Sequence, residues 1–89
     1  MLTKVIEIRA IAPFAIQVTF NDGTSGVHDC SVDIQGSGKM VLPLQEATYF
    51  MRVFLEFGAP TWPNGFDMAP EWLQREMRTA GELRAIAAE

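Results

Sequence analysis

Residues 15–23, Ala15-Ile16-Gln17-Val18-Thr19-Phe20-Asn21-Asp22-Gly23, decide the fold class. Ile16, Val18 and Phe20 alternate with Gln17 and Thr19, the period-two pattern of a strand with one buried face. Asn21-Asp22-Gly23 then supplies a tight turn, because Asn and Asp tolerate left-handed backbone and Gly adopts it without steric cost. A strand ending in such a turn predicts an antiparallel partner after it, over Thr24 to about Cys30, with Val27 as the clearest inward residue. Upstream, Lys4 to Ile11 sets Ile6, Ile8 and Ala10 against Glu7 and Arg9, and Ala12-Pro13 marks a short connection. Val5 and Ile11 blur that alternation, so its second face is expected to be partly covered. Three antiparallel strands in a meander are the simplest topology.

The second half reads differently. Residues 31–39 are irregular, with Ser31 or Asp33 placed to cap one helical turn. Leu42-Pro43-Leu44 leads into a short helix over Gln45 to Val53, where Phe50 and Phe54 lie four apart, unless Phe54 to Phe57 begins a strand. Gly58-Ala59-Pro60 and Pro63-Asn64-Gly65 read as turns on either side of the extended Thr61-Trp62. Asp67 is the expected N-cap of a final helix, with Pro70 in its first turn and Leu73, Met77 and Ala80 on its buried face. Glu71 precedes Arg75 by four, the favourable orientation for a helical ion pair. That helix either stops at Gly81 or runs on with a kink through Leu83 and Ile86, and the tail past Ala85 is expected to fray. The fold class is therefore α+β: a small antiparallel sheet, a short central helix and a C-terminal helix packed on the sheet.

Composition narrows function more by exclusion than by indication. At 89 residues the chain has room for one domain, and its 48% hydrophobic content argues against disorder. Seven basic residues against eleven acidic ones argue against nucleic-acid binding, which selects a basic patch. The acidity is concentrated after residue 45, where four arginines face seven acids. Cys30 is the one cysteine, so no intramolecular disulfide forms. Lys4, Glu7 and Arg9 interrupt the place of a signal-peptide core, and no apolar run is long enough for a membrane helix, so a cytoplasmic location is expected.

His28, Asp29, Cys30 and Asp33 form the one cluster of metal-capable residues, with alternation placing His28 and Cys30 on one face and Asp29 on the other. A zinc site needs three or four suitable ligands, and no second His or Cys completes one, so no metal or other cofactor is expected. A Cys30–His28 nucleophilic pair would have near-parallel side chains and no oxyanion hole, so no catalytic residue is assigned. Gly36-Ser37-Gly38-Lys39 fails as a phosphate loop: Asp33 stands where the first Gly belongs, and Met40 follows the Lys. Phe50, Met51, Phe54, Phe57, Trp62, Phe66, Met68, Trp72 and Met77 are generous for so small a core; each is expected in the core sooner than at an interface.

The alternating opening strands, Phe20 with Asp22-Gly23, the segment Leu42 to Phe50, and Trp62-Pro63-Asn64-Gly65 followed by Asp67 and Pro70 occur in an order that resembles the DUF2442 family of small bacterial proteins of unknown function. The resemblance covers residues 3–73 and makes Asp22, Gly23, Trp62, Pro63, Asn64, Gly65, Asp67 and Pro70 structural motif positions. It implies a small α+β domain spanning 1–89 and no established catalytic residues. Residues 54–60 depart from the pattern, lacking its Gly-rich turn and clear strand, and 74–89 are a helical tail outside it. Longer relatives carry a helix-turn-helix domain for which this chain has no room. Family members often sit beside another small reading frame, in an arrangement like a toxin–antitoxin pair.

The leading expectation is a non-catalytic protein-interaction module, antitoxin-like in such a pair. Its partner would be another small protein or a second copy, joined at an exposed strand edge. The alternatives are a small-ligand or enzymatic domain built on His28, Asp29, Cys30, Asp33 and Asp67, and a transcriptional regulator.

Overall fold

The computed structural model describes residues 2–85. Six strands and two helices follow one another as β1 (Val5–Ile11), β2 (Ala15–Phe20), β3 (Thr24–Asp29), α1 (Ala47–Phe50), β4 (Phe54–Glu56), β5 (Ala59–Thr61), α2 (Pro70–Thr79) and β6 (Leu83–Ala85), with a 3-10 turn over Leu42–Gln45. An antiparallel sheet runs in the order β1-β2-β3-β6, and β4-β5 forms a separate hairpin. The architecture is α+β, with α1 and α2 on the core side of the sheet. No helix among the described residues is long and apolar enough to cross a membrane.

β2 carries the core. Ile16, Val18 and Phe20 are all buried, while Gln17 faces solvent. The β2–β3 register pairs Ile16 with His28, Gln17 with Val27 and Val18 with Gly26. Facing partners share a sheet face, so His28 and Gly26 point inward and Val27 outward, where it is 44% exposed. The expectation for Val27 is overturned by this pairing. In β1 the register slips by one residue between Val5 and Glu7, leaving Ile6 unpaired and exposed. The bulge lets Val5 join Ile8 and Ala10 on the core face despite their odd spacing.

Trp62 is the centre of the opposite layer. It is fully buried against Phe50 and Phe66, and its Nε1 donates to Phe50 O at 2.9 Å. Pro63-Asn64-Gly65 turns the chain beside it: Gly65 N donates to Trp62 O, Asn64 Oδ1 accepts from Phe66 N, and Asn64 Nδ2 reaches Met40 O. The turn at Asp22 docks in the same way. Asp22 accepts from the hydroxyl and amide of Thr24, which hold its carboxyl below the usual carboxylate range, and also from Gln74 Nε2 of α2.

Several local expectations give way. The helix foreseen over 45–53 is confined to α1, because Glu46 is extended and β4 begins at Phe54. Residues 54–60 form a true hairpin whose turn is Phe57-Gly58, so Ala59 and Pro60 lie in a strand. Asp67 does not cap α2. Its bridge to Thr61 and the bond from Met68 N to Pro60 O keep 67–68 extended, and Ala69 takes the cap position. Leu73 and Met77 are buried as expected, but Ala80 is exposed at the helix end. Gly81, at φ 74, turns the chain out of the helix, and 83–85 add β6 to the sheet. The helical tail foreseen over 74–89 therefore stops at Thr79, while Ile86 and the fraying foreseen past Ala85 lie outside the described residues.

The β3–β6 pairing depends on Gly26. A Cβ built there would lie 1.9 Å from Glu82 O, a backbone atom with no freedom to rotate away. Gly26→Ala is expected to destabilise the domain by about 2–3 kcal/mol. A fall in the urea midpoint, with faster amide exchange in β6, checks this.

Candidate functional site

The inward turn of β3 gathers the chemically capable residues. His28 is 7% exposed, and both its ring nitrogens are occupied: Nδ1 lies 2.7 Å from Glu82 Oε1 and Nε2 lies 2.6 Å from Asp33 Oδ2. Each carboxylate arrives by a local device. Asp29 Oδ1 accepts from Ser31 N and Oγ, and Ile34 N donates to Cys30 O, so 31–34 fold into a turn that presents Asp33. Glu82 is delivered by the chain reversal at Gly81 and by its own amide, which donates to Met77 O. The edge of Trp72 closes one side of the imidazole, with ring centroids 6.4 Å apart.

Burial alone would discharge the ring. Hydrogen bonds to Glu82 and Asp33, with the attraction of both charges, more than offset that cost and leave the His28 pKa raised. The result is an imidazole clamped between two carboxyl groups, tying β3, the 31–34 turn and the α2–β6 junction together.

Cys30 shares the face with His28 but not its chemistry. Its thiol is fully buried and donates to His28 O at 3.8 Å. Burial, with the nearby charges of Asp33, Asp29 and Glu82, pushes the thiol pKa up, so the nucleophilic thiolate is suppressed. Ligand atoms of His28, Cys30 and Asp33 do lie within 4.8 Å of one another. A metal there would require Asp33 to leave Nε2 and the thiol to ionise against its surroundings. Asp29 lies on the opposite face, engaged with Ser31, and Asp67 lines, together with Asp33, a cleft of about 280 Å³ between Trp72 and Phe66. The sequence cluster is thus brought together only in part. Its decisive member, Glu82, is 54 positions from His28 and carries no spacing signal.

The open surface is elsewhere, along β1. Cys30 N donates to Phe14 O, and with the β2–β3 register this makes 14 and 30 a hydrogen-bonded pair. Such pairs alternate along antiparallel strands, so even-numbered residues of β2 bond β3 and odd-numbered ones bond β1. In β1, Glu7, Arg9 and Ile11 therefore face β2, while the amides of Ile8 and Ala10 point to the free edge. Val5 N is met there by Gly58 O of the β4–β5 hairpin; among the described residues, Ile8 and Ala10 have no backbone partner on that side. A groove of about 630 Å³ runs beside them, lined by Ile6, Ile8 and Leu55 and by the polar Glu7, Arg9, Gln17 and Thr19.

Phe57 stands at the tip of that hairpin, 94% exposed. Its φ is 52° and that of Gly58 is 80°, the two positive values a type I′ turn requires. Asn normally fills the first position; a bulky aromatic there is strained. The expectation that Phe57 lies in the core is overturned, as it is for Phe54 and Met51, which are also exposed: the two-residue turn leaves the Phe57 side chain outside the sheet layers.

The chain finds no match among protein-family models, curated proteins or solved structures.

His28 gives the clamp a pH signature. Its folded pKa is raised above the ordinary value of 6.5, so its stabilisation is complete below that value and is lost as pH rises through the folded pKa. Urea midpoints taken from about pH 6 to about pH 9 are expected to fall, and to fall less in Glu82→Gln, which removes one of the two anions. Cys30 is expected to resist a thiol reagent in the folded protein and to react at full rate in denaturant.

Proposed function

We propose that this domain is a non-catalytic interaction module of the cytoplasm, related to the DUF2442 proteins, that receives a partner strand along β1 beside the Phe57 tip. The observation that carries this reading is Phe57: a fully exposed aromatic held in a backbone conformation that disfavours it. Strain of this kind costs on the order of 1–3 kcal/mol and persists where something other than folding maintains it. Buried aromatic anchors dominate protein interfaces, and a free strand edge supplies backbone bonds for strand addition. Ile6, 55% exposed by the bulge, adds apolar surface to the groove. The closed state of His28 and Cys30 supports the non-catalytic part, since neither offers a free nucleophile or base. The acidic balance and the polar outer face give no footing for DNA.

Phe57→Asn separates binding from folding. Asn suits the turn, so the variant is expected to gain about 1 kcal/mol of stability while losing at least tenfold in association with whatever protein the wild type binds in cells. Thermal melts and affinity capture, run on both proteins in parallel, read the two effects. A variant both less stable and equally well associated would assign Phe57 to the fold and remove the reading.

A further inference from the structure

The cleft between Phe66 and Trp72 differs in charge from other hollows of the surface. The groove beside β1 sets Arg9 against Glu7, the one over β3 and β6 sets Arg84 against Glu82, and the one beside Phe14 is lined by no charged residue. Here the charged residues are Asp33 and Asp67, and no basic side chain joins them. The rest of the lining is apolar: the half-buried rings of Phe66 and Trp72, with Met68, which is buried, and Ala69. Both rings are anchored, Phe66 against Trp62 at 5.8 Å between centroids and Trp72 against His28. The backbone of 66–68 is pinned as well, since Phe66 O accepts from Trp62 N, Asp67 bridges Thr61 and Met68 N donates to Pro60 O. The cleft is therefore formed in advance of any ligand.

Its charge selects the ligand. Asp33 gives Oδ2 to His28 Nε2, and the Asp67 carboxylate has no hydrogen-bond or ion-pair partner among the described residues. Two positive influences work against a cation. The start of α2 carries about half a positive charge, but Pro70 withholds one amide from it and Glu71 adds an acid in the first turn. The His28 proton is held by two carboxylates, Asp33 and Glu82. Acid exceeds base at both places, so the cleft favours a cation. A bare metal ion would leave the rings without a part. A primary ammonium uses everything present: its three N–H groups donate to carboxylates, its charge is attracted to aromatic rings within about 6 Å, and its stem covers apolar surface. The volume of about 280 Å³ lies just below that of pockets for drug-sized ligands, about 300–1,000 Å³, and suits a small free molecule.

We propose that this cleft binds a small free aliphatic amine as its ammonium cation, with Asp67 and Asp33 as acceptors and Phe66, Met68 and Trp72 packed on the head group and stem. The site is separate from the β1 edge and stands or falls without it. Asp33 belongs to both cleft and clamp, so the ammonium and the imidazole proton compete for one carboxylate, and each weakens the other by the same factor. Glu82, bonded to Nδ1, and Asp29, whose charge reaches the ring from the opposite face, also act on His28, so the competition is partial.

NMR titration of the full chain at pH 7 and constant ionic strength tests this, with n-butylamine as the probe and n-butanol and butyrate as neutral and anionic counterparts. The amine is expected to saturate at a Kd of about 1–10 mM, shifting the Trp72 indole signal and the amides of 66–69. The alcohol and the acid are expected to leave these signals in place. Asp67→Asn is expected to weaken the amine about fivefold, and Asp67→Lys to abolish binding, with melting temperatures near wild type because this side chain is exposed. Saturating amine is expected to lower the pH at which the His28 ring titrates. Shifts produced equally by butanol or butyrate, or an amine isotherm unchanged in both variants, overturn the cation site. A His28 titration indifferent to the amine removes Asp33 from it and overturns the shared carboxylate. A lysine-containing tripeptide that binds more tightly than the free amine overturns the assignment to a free ligand.

Discussion

The backbone of Glu82 crosses directly over Gly26, and much of the architecture depends on that one close approach. With any side chain at position 26 the Glu82 carbonyl would have to retreat. Because it need not, the chain leaving α2 can turn at Gly81, lie against β3 and add β6 to the sheet. The same crossing sets the Glu82 carboxylate on His28, which in turn fixes Asp33 and the 31–34 turn. A steric permission at one glycine thus becomes an electrostatic clamp joining three segments. Burial works against a charged ring, and the hydrogen bonds and charges of both carboxylates together outweigh it.

How much of this was legible in the sequence follows from the range of the forces involved. The β2 pattern and the turn at Asp22-Gly23 are local, and they gave the meander and the buried set Ile16, Val18 and Phe20. Trp62 through Gly65 was likewise readable as structure, because turn chemistry resides in the residues that make the turn. Failures came where a long-range contact chose between local options. Val27 outranked His28 on hydrophobicity, yet pairing with β2 decides the face, and counting outward from the Asp22-Gly23 turn would have shown it. Ile6 was misplaced because the adjacent apolar residues Val5 and Ile6 fit a partly covered second face as well as they fit the bulge that joins them. Asp67 is a good cap residue in isolation, but its bridge to Thr61 keeps the chain extended for two residues more. Residues 83–85 are too short to announce a strand; only the space above Gly26 makes them one.

The candidate site divides along the same line. His28, Cys30 and Asp33 could be grouped from the sequence because they lie within six residues of one another. What they do was hidden, since it depends on Glu82. Without that residue the cluster reads as an incomplete metal site or a nucleophilic pair. With it, the imidazole is engaged at both nitrogens and the thiol is sealed beneath a ring that cannot act as its base. Groups with chemical potential are thereby spent on cohesion, which suits a small domain whose apolar core is limited by its surface.

The contrast with β1 is then a physical one. Inside, every buried side-chain polar atom among the described residues has a partner. Outside, the amides of Ile8 and Ala10 have no backbone partner among the described residues, and a strained aromatic, Phe57, stands at full exposure. Natural sheets blunt exposed edges with Pro, bulges or inward-pointing charges, because an open edge invites indiscriminate pairing. Here the bulge protects only the start of β1, and the charges do not point inward. Glu7 and Arg9 instead lie together on the outer face. What limits pairing at this edge is length: beyond the hairpin only Ile8 and Ala10 turn their amides outward.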